Sequence, residues 1–234
     1  MKQFKRQLAP ESQVVATAIS ARGLHTEKNQ DAYLILEKQG VFAVCDGMGG
    51  RAGGDVASQL LIQTIRDTLK TAPVDTISVG YLIALINYAN HTVYLHAKQN
   101  LELRGMGTTL VLAWIAGAQL HVYHAGDSRA YRLRENHLKC LTRDHTVNSG
   151  KKLSRVLGVR KYIAVEHNHW EWRPTDRLLL VSDGISHVLP DLQLTQLLVE
   201  TPEPIVTQTA QLITSARKAG GKDDKTAILI ESSS

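Results

Sequence analysis

Residues 41–50 of this chain read VFAVCDGMGG. The apolar run 41–45 predicts a buried strand, which ends in Asp46 and then turns through three glycines within four residues. Glycine tolerates positive φ and lets the backbone approach a ligand closely, so this turn can present a carboxylate and a carbonyl oxygen together. A metal site and an ordinary acidic turn both fit the stretch taken alone. The rest of the chain decides between them.

The composition is that of a globular protein. Hydrophobic residues make up 43% of the 234 residues, so we expect one domain over 1–234, with a flexible tail at 1–11. No apolar run approaches the ~20 residues of a membrane span. Two widely separated cysteines, Cys45 and Cys140, predict neither a disulfide framework nor a zinc site. These features favour the reducing cytoplasm.

The positive charge of the chain is spread out. The net charge is +5, but Lys and Arg are scattered, and the chain contains no common nucleic-acid-binding motif. We therefore expect no nucleic-acid partner. The charge can instead attract an anionic partner such as a phosphoprotein.

Hydrophobic periodicity predicts strands in hairpin-like series and four longer helices. A series of this kind, without strict alternation of strand and helix, indicates an α+β fold with antiparallel sheet and helices on the outside. The predicted strands are 14–20, 32–37, 40–45, 108–115, 119–125, 129–133, 137–141, 163–172, 177–182 and 226–231, and the predicted helices are 55–69, 77–99, 192–200 and 204–219.

Other acidic positions resemble the Asp46 turn. Asp127 follows a predicted strand, Asp183 ends another in Asp-Gly, and Asp223 precedes the last strand. If these ends converge, repulsion between carboxylates raises some pKa values, and a divalent cation removes the conflict. Oxygen ligands select Mg²⁺, Mn²⁺ or Ca²⁺ over Zn²⁺. Few protein ligands leave room for water, as at catalytic sites where bound water becomes the nucleophile.

The order of the motifs resembles that of the metal-dependent protein phosphatases, the protein phosphatase 2C family, and especially its small bacterial members. The resemblance covers nearly the whole chain, from about Ala18 to Ile230. The motifs that carry it are Asn29-Gln30-Asp31, Asp46-Gly47-Met48-Gly49-Gly50, Gly107-Thr108-Thr109, Gly126-Asp127-Ser128-Arg129-Ala130-Tyr131, Asp144-His145, Ser182-Asp183-Gly184 and Asp223-Asp224-Lys225-Thr226.

The resemblance implies a fold and an activity. The fold would be a central antiparallel β-sandwich flanked by helix pairs, an αββα four-layer arrangement with metals at one end of the sheets. The activity would be one-step hydrolysis of phosphoserine or phosphothreonine by metal-activated water, with two Mn²⁺ or Mg²⁺ ions. The substrates would be phosphorylated proteins, such as a Ser/Thr kinase or its targets.

The resemblance also implies roles for single residues. Asp46 would bridge two metal ions, and the Gly47 carbonyl would bind the second. Asp183 and Asp223 would bind the first, and Asp31 would act through metal-bound water. Asp46, Asp183 and Asp223 would thus be catalytic through the water that the metals activate.

The chain departs from the family at the position that binds substrate phosphate. The family usually has Arg where Thr26 stands, and a hydroxyl cannot replace a bidentate guanidinium. Arg22 and Lys28 are the candidates to reach the phosphate instead. We expect either weaker substrate binding than in relatives that have the Arg or a substrate that brings its own cation.

Two further departures concern the metal site. Only residues 146–155 separate His145 from Val156, so the family's flap is shortened, which predicts an open site and makes a third ion, at Asp127, doubtful. Asp224 stands where Asn is usual, and an extra carboxylate there would either strengthen metal binding or face solvent.

Other functions remain open at this point. Thr26 and the short flap fit a catalytically weak pseudophosphatase that acts as a regulatory binding module, although the kept carboxylates argue against it. A phosphohydrolase for small molecules is a third hypothesis. His145 and His187 adjoin acidic motifs and are candidates to contact their side chains or the substrate. The oligomeric state is not predicted.

Overall fold

The structure is a computed structural model that describes residues 14–24, 27–48, 53–148, 152–200 and 203–233. The strands are β1 (Val14–Ala21), β2 (Asp31–Leu36), β3 (Val41–Met48), β4 (Gly107–Thr108), β5 (Leu110–Ala116), β6 (Gln119–Ala125), β7 (Arg129–Arg134), β8 (His137–Cys140), β9 (Thr146–Val147), β10 (Lys152–Leu153), β11 (Glu166–Glu171), β12 (Arg177–Val181) and β13 (Lys225–Ser232). The helices are α1 (Gly54–Thr71), α2 (Val79–Gln99), α3 (Asp183–Ser186), α4 (Asp191–Val199) and α5 (Ile205–Lys218), with short 3₁₀ turns at Glu37–Gln39, Val74–Thr76 and Leu101–Leu103.

The strands form two large antiparallel sheets. The six-stranded sheet has the order β11-β6-β5-β3-β2, with β4 beside β3, and the five-stranded sheet has the order β1-β13-β12-β7-β8. β9 and β10 make a separate two-stranded hairpin in the segment predicted to be a shortened flap. The adjacent pairs β2–β3, β5–β6, β7–β8 and β9–β10 join strands that are close in sequence, as the hairpin-like pattern predicts.

Residues 41–45 are all apolar because this part of β3 is covered on both faces. Side chains alternate along a strand, so Val41, Ala43 and Cys45 pack towards α1 and α2. Phe42 and Val44 point the other way, into the apolar layer between the two sheets. A strand buried on both faces loses the alternation of apolar and polar residues that marks a half-exposed strand.

Two helical layers cover the outer faces of the sheets. α1 and α2 pack on the six-stranded sheet through residues such as Leu61 and Ile86. α4 and α5 pack on the five-stranded sheet through residues such as Leu194 and Leu212. The αββα four-layer prediction is confirmed.

The predicted elements agree with the structure apart from their bounds. The predicted strand 108–115 is divided at Thr109, and the predicted strand 163–172 is shorter because Ile163 and Val165 pack against the helix side before β11 begins. The predicted tail 1–11 lies outside the described residues. None of the helices in the described ranges combines the length and apolar character that a bilayer crossing requires.

Candidate active site

Asp31 and Asp46 meet at one end of the six-stranded sheet. Asp31 opens β2 and Asp46 lies near the end of β3, and the antiparallel register places the two residues directly opposite each other. The hairpin between β2 and β3 therefore brings two carboxylates together at one edge. The glycines that follow, Gly49 and Gly50, lie outside the described residues.

The other sheet supplies further carboxylates to the same place. Asp183 opens α3 after β12, and its carboxyl group is hydrogen-bonded to that of Asp46. Asp127 follows β6, and a carboxylate oxygen of Asp127 lies within 4.8 Å of ligand atoms of Asp183 and His187. Asp223 precedes β13 and acts electrostatically on Asp46. The structure thus brings together the five predicted acidic residues.

Burial and mutual repulsion make ionisation of this cluster unfavourable. Burial raises the pKa of Asp31 to about 7 and that of Asp127 to about 6. Burial and the neighbouring carboxylate of Asp31 raise the pKa of Asp46 well above its usual value. Burial also opposes ionisation of Asp183, but hydrogen bonds with His187 and Asp46 outweigh it and lower its pKa.

The Gly107-Thr108-Thr109 motif fixes the main chain of Asp46. The Asp46 N–H donates to Thr109 Oγ1 at 2.9 Å, and the Asp46 carbonyl accepts from Thr108 Oγ1 at 2.9 Å and from the Thr109 N–H at 2.9 Å. Thr108 and Thr109 are both buried. The position of Asp46 is therefore set by its backbone and does not depend on a bound ion.

Two hydroxyl groups hold Asp31, and sequence reasoning did not identify either. Ser182 Oγ and Thr226 Oγ1 donate to Asp31 Oδ2 at 2.7 and 2.6 Å. The available signal was the position of each hydroxyl beside a predicted ligand motif. In the described part of the chain no donor contacts Asp31 Oδ1 or Asp183 Oδ1, although both oxygens are buried.

These oxygens test whether a metal fits. A buried carboxylate oxygen without a donor is costly, and a cluster of carboxylates that faces its own repulsion is costlier. Hard divalent cations take oxygen ligands of this kind. The residues present therefore fit Mn²⁺ or Mg²⁺, as predicted.

The two Asp-Gly pairs need glycine for space. A Cβ on Gly47 would lie 2.0 Å from the Gly54 carbonyl oxygen at the start of α1, and a Cβ on Gly184 would lie 1.8 Å from the Asp224 carbonyl oxygen. Neither Gly47 nor Gly184 has a positive φ. The glycines after Asp46 and Asp183 thus permit close backbone packing at the cluster and are not required by the turn conformation.

Asp224 does not face solvent, so one of its two predicted alternatives is wrong. It is only 3% exposed, and its carboxylate accepts the Gly23 N–H at 2.6 Å and the Gln30 N–H at 2.7 Å. A third bond, from the Leu24 N–H to the Lys222 carbonyl at 2.7 Å, joins the same two loops. Asp224 therefore clamps the loop that leads into Asp31.

Both histidines singled out in the sequence contact the site. His187 Nδ1 lies 3.3 Å from Asp183 Oδ2. The ring nitrogen Nδ1 of His145 accepts from the Gly126 N–H at 3.3 Å. The main-chain N–H of His145 donates to the Gly126 carbonyl at 2.8 Å. Since Gly126 precedes Asp127, His145 positions the turn that carries this carboxylate.

The predicted phosphate-binding residues have different outcomes. Thr26 lies outside the described residues, and the role of Arg22 stays a prediction. The Lys28 side chain is 78% exposed, and its ammonium group lies 3.4 Å from Asp55 Oδ2 in the first turn of α1. A pairing this exposed leaves Lys28 able to turn towards a bound anion.

Comparison with known proteins identifies the family. A family model described as Protein phosphatase 2C matches residues 24–226. The chain belongs to the protein phosphatase 2C family. The serine/threonine phosphatase stp of Listeria welshimeri is 32% identical over 228 residues, which are 88% of this chain and 90% of that protein. The serine/threonine protein phosphatase PstP of Mycobacterium tuberculosis is 32% identical over 231 residues, which are 92% of this chain and 44% of PstP.

Solved structures of family members have the same fold. The crystal structure of the Mycobacterium tuberculosis phosphatase PstP/Ppp superposes with a TM-score of 0.86 at 29% identity, covering 94% of this chain and 99% of that one. The catalytic domain of PstP in complex with two manganese ions superposes with a TM-score of 0.83 at 31% identity, covering 93% and 97%.

Proposed function

We propose that this protein is a metal-dependent phosphoserine and phosphothreonine protein phosphatase. The observation that carries the proposal is the convergence of Asp31, Asp46, Asp127, Asp183 and Asp223, from both sheets, on one end of the β-sandwich. Membership of the family, and a relative solved with two manganese ions, support the same conclusion. The expected cofactors are two Mn²⁺ or Mg²⁺ ions.

We assign the metal ligands as the sequence predicts them. Asp46, Asp183, Asp223 and the Gly47 carbonyl would hold the two ions, with Asp31 acting through water and Asp127 facing a third, weaker position. Ions bound there activate water and stabilise charge on the phosphoryl oxygens. A small oxygen-ligand set leaves open positions for water and for substrate phosphate.

The remaining residues of the site hold these ligands in place. Thr108 and Thr109 fix the Asp46 main chain, and Ser182 and Thr226 fix the Asp31 carboxylate. Burial opposes ionisation of Asp183, but His187, whose Nδ1 lies 3.3 Å from Asp183 Oδ2, helps to lower the pKa of that carboxylate. A ligand set held this way needs little rearrangement when ions bind.

The pseudophosphatase alternative has less support. A binding module has no need of buried carboxylate oxygens without donors, because each one destabilises the fold when no cation is bound. Asp31 and Asp183 both have such an oxygen. The energetic cost of keeping them is explained by a site that binds metal.

The partners and the compartment follow from the same proposal. The substrates are phosphorylated proteins, and we propose a Ser/Thr kinase or its targets among them. Cys45 and Cys140 are free thiols, which suits the cytoplasm. We also propose that residues 1–234 form one phosphatase domain, since both sheets share a single apolar layer.

Manganese-dependent hydrolysis tests the function. Purified protein treated with EDTA and then supplied with Mn²⁺ should hydrolyse p-nitrophenyl phosphate and a phosphothreonine peptide. Asp183→Asn should lower kcat/KM for both by about 100-fold or more, because it removes a charged ligand. Asp75→Asn, in an exposed turn far along the chain from the cluster motifs, is the matched control.

Three results would contradict the proposal. Activity that survives EDTA would exclude metal dependence, and an Asp183→Asn variant as active as the control would exclude the assigned ligand. Hydrolysis of nucleotides in preference to phosphopeptides would favour the small-molecule alternative.

A further inference from the structure

A groove of about 830 Å³ begins at the carboxylate cluster and extends from there along β2, the edge strand of its sheet. Asn29 and Asp31 line its end at the cluster, Ser20 of β1 lines one side, and α1 lines the other from Val56 to Arg66. Ten residues of helix extend ~15 Å. The groove can therefore hold four or five residues of extended polypeptide at ~3.3 Å each.

Arg66 supplies the positive charge of this lining. Its Nη1 atom donates to Gln63 Oε1 at 2.9 Å, and its Nη2 atom donates to the Tyr33 main-chain oxygen at 3.2 Å. Both acceptors are uncharged, and the ion pairs found within the described ranges do not include Arg66. A guanidinium without a carboxylate partner is suited to bind an anionic group in two-point geometry.

The strand fixes how far Arg66 lies from the cluster. Tyr33 follows Asp31 by two residues on β2, which is ~7 Å along a strand. The contact with the Tyr33 oxygen therefore places the guanidinium two or three extended residues away from the catalytic end. The same contact shows that the Tyr33 carbonyl faces the groove.

We propose that the groove binds the segment of a protein substrate next to its phosphorylated residue, and that Arg66 selects an acidic side chain two or three residues from the phosphoserine or phosphothreonine. The proposal rests on the phosphatase function proposed above. The groove is continuous with the cluster through Asp31, and its charge complements an acidic segment. Pairing with the edge of β2 gives an extended segment a fixed direction.

A peptide panel tests the selection. Each peptide carries phosphothreonine among alanines, with a single Glu at one position from three before to three after it. In the wild-type protein, Glu two or three residues away on one side should raise kcat/KM by up to about fivefold, the upper end of the range for an exposed ion pair. Arg66→Gln should abolish this preference, and Arg66→Lys should keep part of it.

The controls separate selection from a structural role. Lys70→Gln changes an exposed charge on the last turn of α1, outside the groove, and should keep the preference. p-Nitrophenyl phosphate has no polypeptide to place in the groove, so Arg66→Gln should hydrolyse it as the wild type does. Thermal melts report whether the contact of Arg66 with Tyr33 is needed for folding.

Each other result has a definite meaning. A wild-type protein that hydrolyses all peptides equally, or a preference that persists in Arg66→Gln, would overturn the proposal. An equal loss on peptides and p-nitrophenyl phosphate would make Arg66 a structural tie and would also overturn it. Absence of activity on every substrate with Mn²⁺ would instead refute the phosphatase function itself.

Discussion

Replacing Asp224 by Asn should loosen the loop that leads into the metal site. The carboxylate accepts one main-chain N–H with each oxygen, from Gly23 at 2.6 Å and from Gln30 at 2.7 Å. An Asn side chain has one acceptor oxygen, so one of the two N–H groups must face the NH₂ group. Asn is nearly the same size as Asp, so the change removes a hydrogen bond without leaving a cavity.

The magnitude follows from burial. A hydrogen bond to a charged group contributes about 1.5–3 kcal/mol, and here the abandoned N–H stays buried because Asp224 is 3% exposed. We expect Asp224→Asn to lower the free energy of unfolding by about 2 kcal/mol. For a chain of this length that corresponds to a fall in Tm of about 4–8 °C. Asp224→Ala loses both bonds and should cost about twice as much.

Thermal unfolding in EDTA measures this effect without the contribution of metal binding. Asp75→Asn, an exposed Asp-to-Asn change, is the control and should leave Tm within about 2 °C. Titration of the same proteins with Mn²⁺ then shows whether the looser loop weakens metal binding. Because the clamp holds the loop that carries Asp31, the apparent affinity should fall in Asp224→Asn.

Two results would refute the reasoning. If Asp224→Asn has the same Tm as the wild type, the second hydrogen bond contributes nothing to stability, and Asn at this position holds the two loops together as well as Asp does. If Asp224→Asn and Asp224→Ala melt together, the carboxylate does not act through its two oxygens separately.

Three further predictions concern the cluster and the packing around it. Because the pKa of Asp31 is raised to about 7 and that of Asp127 to about 6, above the unfolded value of ~3.9, the metal-free fold should lose stability as the pH rises from about 4 through 7. Mn²⁺ replaces these protons, so the rise in Tm that Mn²⁺ causes relative to EDTA should be larger at pH 8 than at pH 5. An equal rise at both pH values would contradict the assignment of these carboxylates to the metal site. Gly47→Ala should destabilise the fold by about 3 kcal/mol or more in urea unfolding because its Cβ would meet the Gly54 carbonyl at 2.0 Å, whereas Gly80→Ala, with open space on α2, should be neutral or stabilising by up to ~1 kcal/mol. Asp176→Asn breaks the ion pair between the fully buried Asp176 carboxylate and the partly exposed Arg134 guanidinium at 2.6 Å, and it should lower Tm by an amount equivalent to about 2 kcal/mol without changing the Mn²⁺ dependence of activity. A changed metal dependence would show that the pair acts on the site.

The parts of the fold that the sequence predicted are those with a local signal. β3 was predicted from its apolar run, because a strand buried on both faces has consecutive apolar residues. α1 was predicted from its helical spacing, because a helix buried on one face has apolar residues at every third or fourth position. β11 was predicted too long because Ile163 and Val165, which precede it, are apolar for packing, and an alternating pattern does not distinguish packing from strand pairing.

The contacts that hold the site could not be predicted because they join distant parts of the chain. Gly23 and Asp224 are 201 residues apart, and Asp31 and Thr226 are 195 residues apart. No local pattern marks a carboxylate as a clamp for a loop so far away. The resemblance to a family made it possible to predict that the acidic motifs converge. It could not predict the role of Asp224, because this chain departs from the family at that position.

The cluster opposes its own assembly, and the backbone contacts explain how the fold maintains it. Burial and repulsion raise the pKa of Asp31 and Asp46, so in the absence of a cation the carboxylates favour separation or protonation. Main-chain bonds hold Asp46, hydroxyl groups hold Asp31, and Asp224 holds the loop before it. These contacts do not involve a metal, so they keep the ligands in place before an ion arrives. Metal binding then relieves the repulsion between the carboxylates and does not have to order them. A site held in this way can exchange phosphate and water while its ions stay bound.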